Sequence, residues 1–570
     1  MKNELIECIE RKHMDDLLKH FASLDRLSGS SDAGKAADYI LGKLKSWDIQ
    51  CEMLEFESYV SNPVGSSLMI TDHYENYEIS CRPRSFAADV PEGVEGVLWY
   101  DEDGTVKELR NKNKDAVRGK VVLSFNYDED YARVLSDLGA VGLIQIWHSD
   151  EEIIHEDTVG CVWGTPTLLT EPMLPRIPVV GVTLQSGKSL IDKLKLSELK
   201  VKITTDIHYE IQRLQLPVAL IPGRTKDFIL LSGHYDSWYY GATDNGTGNA
   251  LCLEIARIFH ENRAMLEKSL VVAWWPGHSN GRYSGSTWFC DQYWSELNEH
   301  CYGHINMDSP GCCGAEQVVL GTTRFEGTEF LKAKTEVWLG REPKGYSQLF
   351  KGADQSFFGC RIPIHIYPMF KQAEGHKIYA SPGSGGGWWW HTPADTSDKV
   401  DMQLLLRDTK YITSLLEPML CEPVVPSDGE KYFEYVNEIL TSYDRQSDEE
   451  FDFTQIIEVL QQVTESFEQA CRSLRGNADA LNRLYKTVGG EMNRLMNSYS
   501  DRYDFDLAMP ASLFPGLGIV NGVYRNTCNP KDYLFIKTQF VRQKNRFINE
   551  VKHLVTEINC LLQFFQEGEK

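Results

Sequence analysis

The sequence of 570 residues has no apolar run near the ~18 residues that a membrane-crossing helix requires, which excludes a helical bilayer span. It also lacks an excess of positive charge. Its 58 Lys and Arg face 82 Asp and Glu, for a formal charge of -24 and a pI near 5.1. Nucleic acid and anionic membrane surfaces are therefore poor partners. The opening residues, MKNELIECIERKHMDD, alternate charges around no apolar core and do not read as a secretory leader. No CxxC spacing occurs among the 14 cysteines, so they are expected to be reduced thiols in a cytoplasm rather than disulfide or zinc staples. No solenoid-like internal repeat is visible.

What is present is the composition of packed cores, 42% hydrophobic with 25% charged, in a chain long enough for several domains. From Met14 to Leu44 apolar residues recur at helical spacing around the turn RLSGSSDAGK, predicting helix, turn, helix. Between residues 58 and 205 the segments GKVVLSFN, AVGLIQIW and RIPVVGVT read as short strands among Gly- and Pro-rich loops, an inserted α/β or β-rich domain. Residues 206–425 alternate buried strands (DFILLSGHYD, KSLVVAWWP, HINMD) with helices. With residues 1–57 they predict an α/β core, a mostly parallel, doubly wound sheet. From 426 to 570 the pattern turns to long amphipathic helices, with Ile456, Leu460, Val463, Phe467, Cys471 and Leu474 on one stripe.

Ligands of doubly wound sheets sit at the carboxyl ends of strands, and the chemistry-bearing residues gather there. In GHYDSWYYGATDNGTGNA, His234 and Asp236 are two apart and would share a strand face, so the Asp236 carboxylate could fix the tautomer of a metal-bound His234. Asp244 follows in a glycine-rich loop that opens a helix. NMDSPG supplies Asp308 and WWWHTPADT supplies His391. Two histidines and two aspartates suit zinc, with manganese or cobalt as alternatives. Taken singly, each is as well explained by a core histidine or a capping aspartate.

These motifs and their order resemble the zinc aminopeptidases and glutamate carboxypeptidase-like metallopeptidases, whose ligands run His, Asp, Glu, Asp, His. RLSGS, GHYDSW, GATDNGTG, GSTWF, NMD, GADQSFF and HTPADT all fit. The insert resembles a protease-associated domain through GKVVL, GAVGLI and IPVVGV. The last helices, with PASLFPGLGIVNGVY, resemble the dimerisation domain of glutamate carboxypeptidase and the transferrin receptor. The resemblance implies a metallopeptidase core, a homodimer, and a small-molecule or peptide-like substrate.

One motif departs. The family carries an adjacent Glu-Glu, general base then metal ligand, where VAWWPGHSNGRYSGS places His278 and Ser279. The His234/Asp244/Asp308 set is complete, whereas the second site keeps only Asp244 and His391. His278 could become a third ligand there, or move a proton over a single ion, the second being a common use of imidazole near neutral pH. Arg282 is placed to clamp a substrate carboxylate or to form a surface ion pair. Trp388, Trp389 and Trp390, after a glycine run, could form a lid or, at Trp390, an apolar subsite. Asp354 reads as a turn residue. The expected activity is metal-dependent hydrolysis of an amide-like C–N bond by one or two ions, with a lyase-type reaction or an inactive binding protein as alternatives.

Overall fold

The structure is a computed structural model describing residues 4–72, 75–106, 116–349, 351–372 and 387–568. It has the expected mixed α/β class, built on one large sheet. In spatial order, the core strands are Gly345–Ser347, Gln317–Thr322, Ile364–Lys371, Cys301–Asn306, Phe228–His234 and Ser269–Trp275, followed by Lys200–Ile221. The central four pair in parallel, and antiparallel partners close both flanks.

The insert does not build a separate sheet. Gln50–Thr71 and Lys200–Ile221, each 22 residues long, pair antiparallel along their length and run out of the core into the insert. There Lys200–Ile221 takes Val90–Tyr100, after which Lys120–Ser124, Gly142–Ile146 and Val179–Val182 follow in parallel. Positions 57/58 and 205/206, where composition changes, fall inside this ribbon. A rigid two-stranded arm thus fixes the insert above the carboxyl ends of the core strands.

The expected helix, turn, helix near the start appears as Arg11–Phe21 and Ser31–Ser46, the latter capped by Ser30 Oγ accepting from Ala33 N–H at 3.1 Å. Thr247–Glu261 follows the Asp244 loop and is buried almost all round, with Leu251, Ile255, Ile258 and Phe259 fully inside. Each such side chain contributes about 1.5–3 kcal/mol by leaving water, which anchors the end of the helix that carries the loop. The 14 cysteines are all free thiols. Among the described residues no helix is long and apolar enough to cross a membrane.

The last part is helical: Gly429–Arg445, Thr454–Ser473, Ala478–Asn497 and the 39-residue Pro530–Gly568. The stripe read from Thr454–Ser473 faces this core, with Ile456, Leu460, Val463 and Phe467 buried and Cys471 partly so. Ala478–Asn497 also presses on the sheet part. A Cβ at Gly490 would lie 2.1 Å from the Arg361 carbonyl oxygen. In an open helix, glycine to alanine gains about 1 kcal/mol. Here the sign reverses, and Gly490→Ala is expected to destabilise by about 1–3 kcal/mol through overpacking. A lower melting temperature checks this; a variant that melts at or above wild type would remove the close approach from the account.

Candidate metal centre

The strand Phe228–His234 ends on His234, level with Trp275 of the neighbouring strand. Beyond these ends, and beyond Asn306, three loops bring His234, Asp244, His278 and Asp308 together. His234 Nε2 lies 3.1 Å from Asp244 Oδ1 and 3.7 Å from Asp308 Oδ1. Asp244 Oδ2 lies 3.0 Å from His391 Nε2. One buried carboxylate therefore joins the two histidines, as the ligand pattern requires. Ser279 is buried and lines the same space, but offers only a hydroxyl.

His234 Nδ1 donates to the Asp236 carbonyl at 2.9 Å, while the Asp236 carboxylate stands off at 3.4 Å. The expected partner of His234 thus meets the same ring nitrogen with both its carbonyl and, more distantly, its carboxylate. The carboxylate also accepts from Ser279 N–H at 3.2 Å. With Nδ1 spent as a donor, His234 Nε2 turns a lone pair toward carboxylate oxygens. That arrangement is repulsive unless a cation or a proton stands between them, and the donor set suits a divalent metal. The electrostatics agree. Burial opposes charging of His234, but Asp236, Asp244 and Asp308 outweigh it and raise its pKa well above the ordinary value. Burial likewise opposes ionisation of Asp244, yet the two histidines hold its pKa well below the usual carboxylate range.

The loop bearing Asp244 is held by groups that sequence patterns did not single out. Asp395 accepts from Thr243 N–H at 3.0 Å, Thr243 Oγ1 at 2.7 Å and Asp244 N–H at 3.0 Å. Its burial raises its pKa to about 6. Arg26, fully buried, donates to the carbonyls of Tyr235, Tyr240 and Gly241. Tyr367 Oη donates to Asp308 at 3.0 Å. Asp395 lies four residues after His391 in a recognisable motif, whereas nothing in RLSGS signals that Arg26 reaches across the fold.

His278 lies flat on His234, with ring centroids 3.8 Å apart and planes 11° from parallel. Its Nδ1 is 2.7 Å from Asp354 Oδ2. Asp354 is fully buried, at φ +58°, and also accepts from Ser286 Oγ at 2.8 Å. The turn residue expected there is thus the partner of His278. Nitrogen and oxygen atoms of His234, His278 and Asp308 fall within 4.8 Å of one another, close enough to suggest a shared ion. This pose sets the His278 ring directly against the centre.

Arg282 lines the cavity and does not form the surface ion pair. It is buried, over the Tyr283 ring at 4.2 Å, and paired with Glu129 of the insert. Burial pushes Glu129 up to about 7 against the pull of Arg282. Trp390 stacks on His391, at 3.4 Å, and packs against Trp147 of the insert, at 5.7 Å. It is half-buried and lines the cavity. Trp389 is buried and donates to Thr243 Oγ1 at 3.0 Å, and Trp388 lies 5.5 Å from Lys399 Nζ. Residues 383–386 of the glycine run lie outside the described residues. The centre opens into a cavity of about 720 Å³ that takes walls from all three parts: Tyr127 and Asp157 of the insert, Tyr283 and Tyr367 of the core, Met496 and Pro510 of the helical part.

Residues 218–416 match the profile of Peptidase family M28. The chain is 29% identical to aminopeptidase YwaD of Bacillus subtilis over 380 residues, 61% of this chain and 78% of that one. It is 26% identical to mouse aminopeptidase NAALADL1 over 141 residues, 24% of this chain. It spans only 19% of that relative's length. A zinc aminopeptidase structure from Bacillus subtilis superposes with a TM-score of 0.54 at 16% identity, covering 73% of this chain and 96% of that one, a likeness of fold. Residues 218–416 are thus similar to an M28 metallopeptidase core, and the fold is that of the aminopeptidase structures.

A folded-state metal site stabilises by about 2.7 kcal/mol when the free ion stands at a hundredfold its Kd. Zinc added to chelator-treated protein is therefore expected to raise the melting temperature, and Asp308→Ala to abolish the rise. An equal rise in the variant would place the ion elsewhere.

Proposed function

We propose that this chain is a metal-dependent hydrolase of an amide or peptide-like bond in a small substrate, with an altered proton-transfer group. His234, Asp244 and Asp308 are the residues that would hold the ion. A divalent ion there would polarise the substrate carbonyl and acidify water. The remaining chemistry belongs to the protein. His278 Nε2 takes the proton of the attacking water and returns it to the leaving nitrogen, the part a glutamate plays in the family. Asp354 accepts from Nδ1–H, which fixes the tautomer with the lone pair on Nε2 and keeps the ring from turning. The stack on His234 sets its depth.

The 2.7 Å bond from His278 to the buried Asp354 carries this reading. An idle turn histidine has no need of a fully buried carboxylate. The walls around the cavity favour a small substrate over an extended chain, and the family likeness of the last helices supports a homodimer. Ser279 in place of a carboxylate leaves the Asp244/His391 side with two protein ligands, which favours one firmly held ion.

Against a panel of dipeptides, acylated amino acids and small amides, His278→Ala is expected to lower kcat by about 10²–10⁴-fold with metal per chain unchanged. Asp354→Asn should cost less, because the ring remains. Loss of the metal in His278→Ala would make His278 a ligand. Full activity in that variant would dismiss it as the base, and no hydrolysis by wild type of any compound in the panel would leave a binding protein.

A further inference from the structure

The metal-site reading leaves unexplained why His391 is built as it is. The residue has φ +57°, a left-handed conformation unusual outside glycine, and it lies in a loop with little structure of its own. What holds it comes from the insert. His391 Nδ1 donates to the Glu156 carbonyl at 3.0 Å, and Glu156 N–H donates back to the His391 carbonyl at 3.0 Å. The Glu156 carboxylate is itself fixed, accepting from Tyr239 Oη at 2.8 Å with Arg82 Nε at 3.7 Å.

A cluster of rings completes the clamp. His391 stacks on Trp390 at 3.4 Å and 17°, Trp390 on Trp147 at 5.7 Å and 18°, and Trp147 on His155 at 4.2 Å and 23°. Trp147 closes the strand Gly142–Ile146 and is buried, as is His155. The two-bond exchange fixes where His391 sits and which nitrogen faces Asp244. Trp390, stacked on His391 and packed against Trp147 and His155, fixes the plane of its ring.

We propose that the insert, through the Glu156 backbone and the packing of Trp147 and His155 on Trp390, positions His391 against Asp244, and that Trp147 is a positioning residue of the centre rather than part of a substrate platform. This rests on the reading of Asp244 and His391 as parts of the metal site. It also gives the 22-residue arms a purpose, since the insert can orient a side chain only if it is itself held rigidly over the core.

The test compares wild type, Trp147→Ala and Trp147→Phe, each purified with its metal. The rate at which diethyl pyrocarbonate modifies His391 is mapped by peptide mass spectrometry, with the other histidines as internal references. In parallel, kcat, KM and metal per chain are measured. Because a misplacement near 1 Å can cost about 10²-fold, Trp147→Ala is expected to expose His391 about tenfold to reagent and to lower kcat about 10–100-fold. KM should stay within about twofold and the His234-side ion should be kept, and Trp147→Phe should restore most of both losses. If Trp147→Ala does not fold, Trp147→Leu fills the space without an aromatic face and should behave the same way. An unchanged modification rate at His391 would overturn the proposal, as would a raised KM with kcat intact. If wild type hydrolyses nothing, the hydrolase reading fails, and the modification rates still decide the positioning role.

Discussion

Asp244 sets the terms for everything around it. Its two oxygens lie 3.1 and 3.0 Å from imidazole nitrogens of His234 and His391, and each histidine has spent its other nitrogen on a backbone carbonyl. Buried negative charge next to lone pairs is costly unless cations fill the space. The buried Arg26 guanidinium offsets part of that charge, while Asp395 fixes the loop by accepting from the Thr243 and Asp244 N–H groups. Packing behind the loop, along Thr247–Glu261, keeps these donors from moving when the site is empty of substrate.

The three parts of the chain each meet that carboxylate differently. The parallel strands supply the loop ends on which His234, His278 and Asp308 stand. The insert, carried on its long ribbon, reaches over to hold His391 and pairs Glu129 with Arg282. The helical part closes the cavity with Met496 and residues 508–513 and braces the core through Lys486, whose buried ammonium donates to the Leu297 and Cys301 carbonyls. A site assembled from all three is rigid only if their contacts are, which is why ring stacks and reciprocal backbone bonds recur at its edges.

Under the proposed function, His278 and Ser279 in place of an acidic pair are a change local in sequence but not in its support. A glutamate base needs little beyond room to reach, whereas an imidazole must be held in one tautomer and one plane. Asp354, Ser286 and the ring of His234 supply that holding. They lie on three different segments, so the substitution makes sense only with its neighbours in place.

The α/β class and the positions of His234, Asp244, Asp308 and His391 were legible because strand ends, glycine-rich turns and motif order are local features, written in consecutive residues. The amphipathic stripe of Thr454–Ser473 was legible for the same reason. What only the tertiary structure decided involves contacts between distant segments: Asp354 beside His278, Arg282 buried against Glu129, and Trp390 packed against Trp147 of the insert. The physical reason is one of reach. A residue's type and local period fix which face of a strand or helix it occupies, but the partner across the cavity comes from a segment up to hundreds of residues away. Only packing brings the two together.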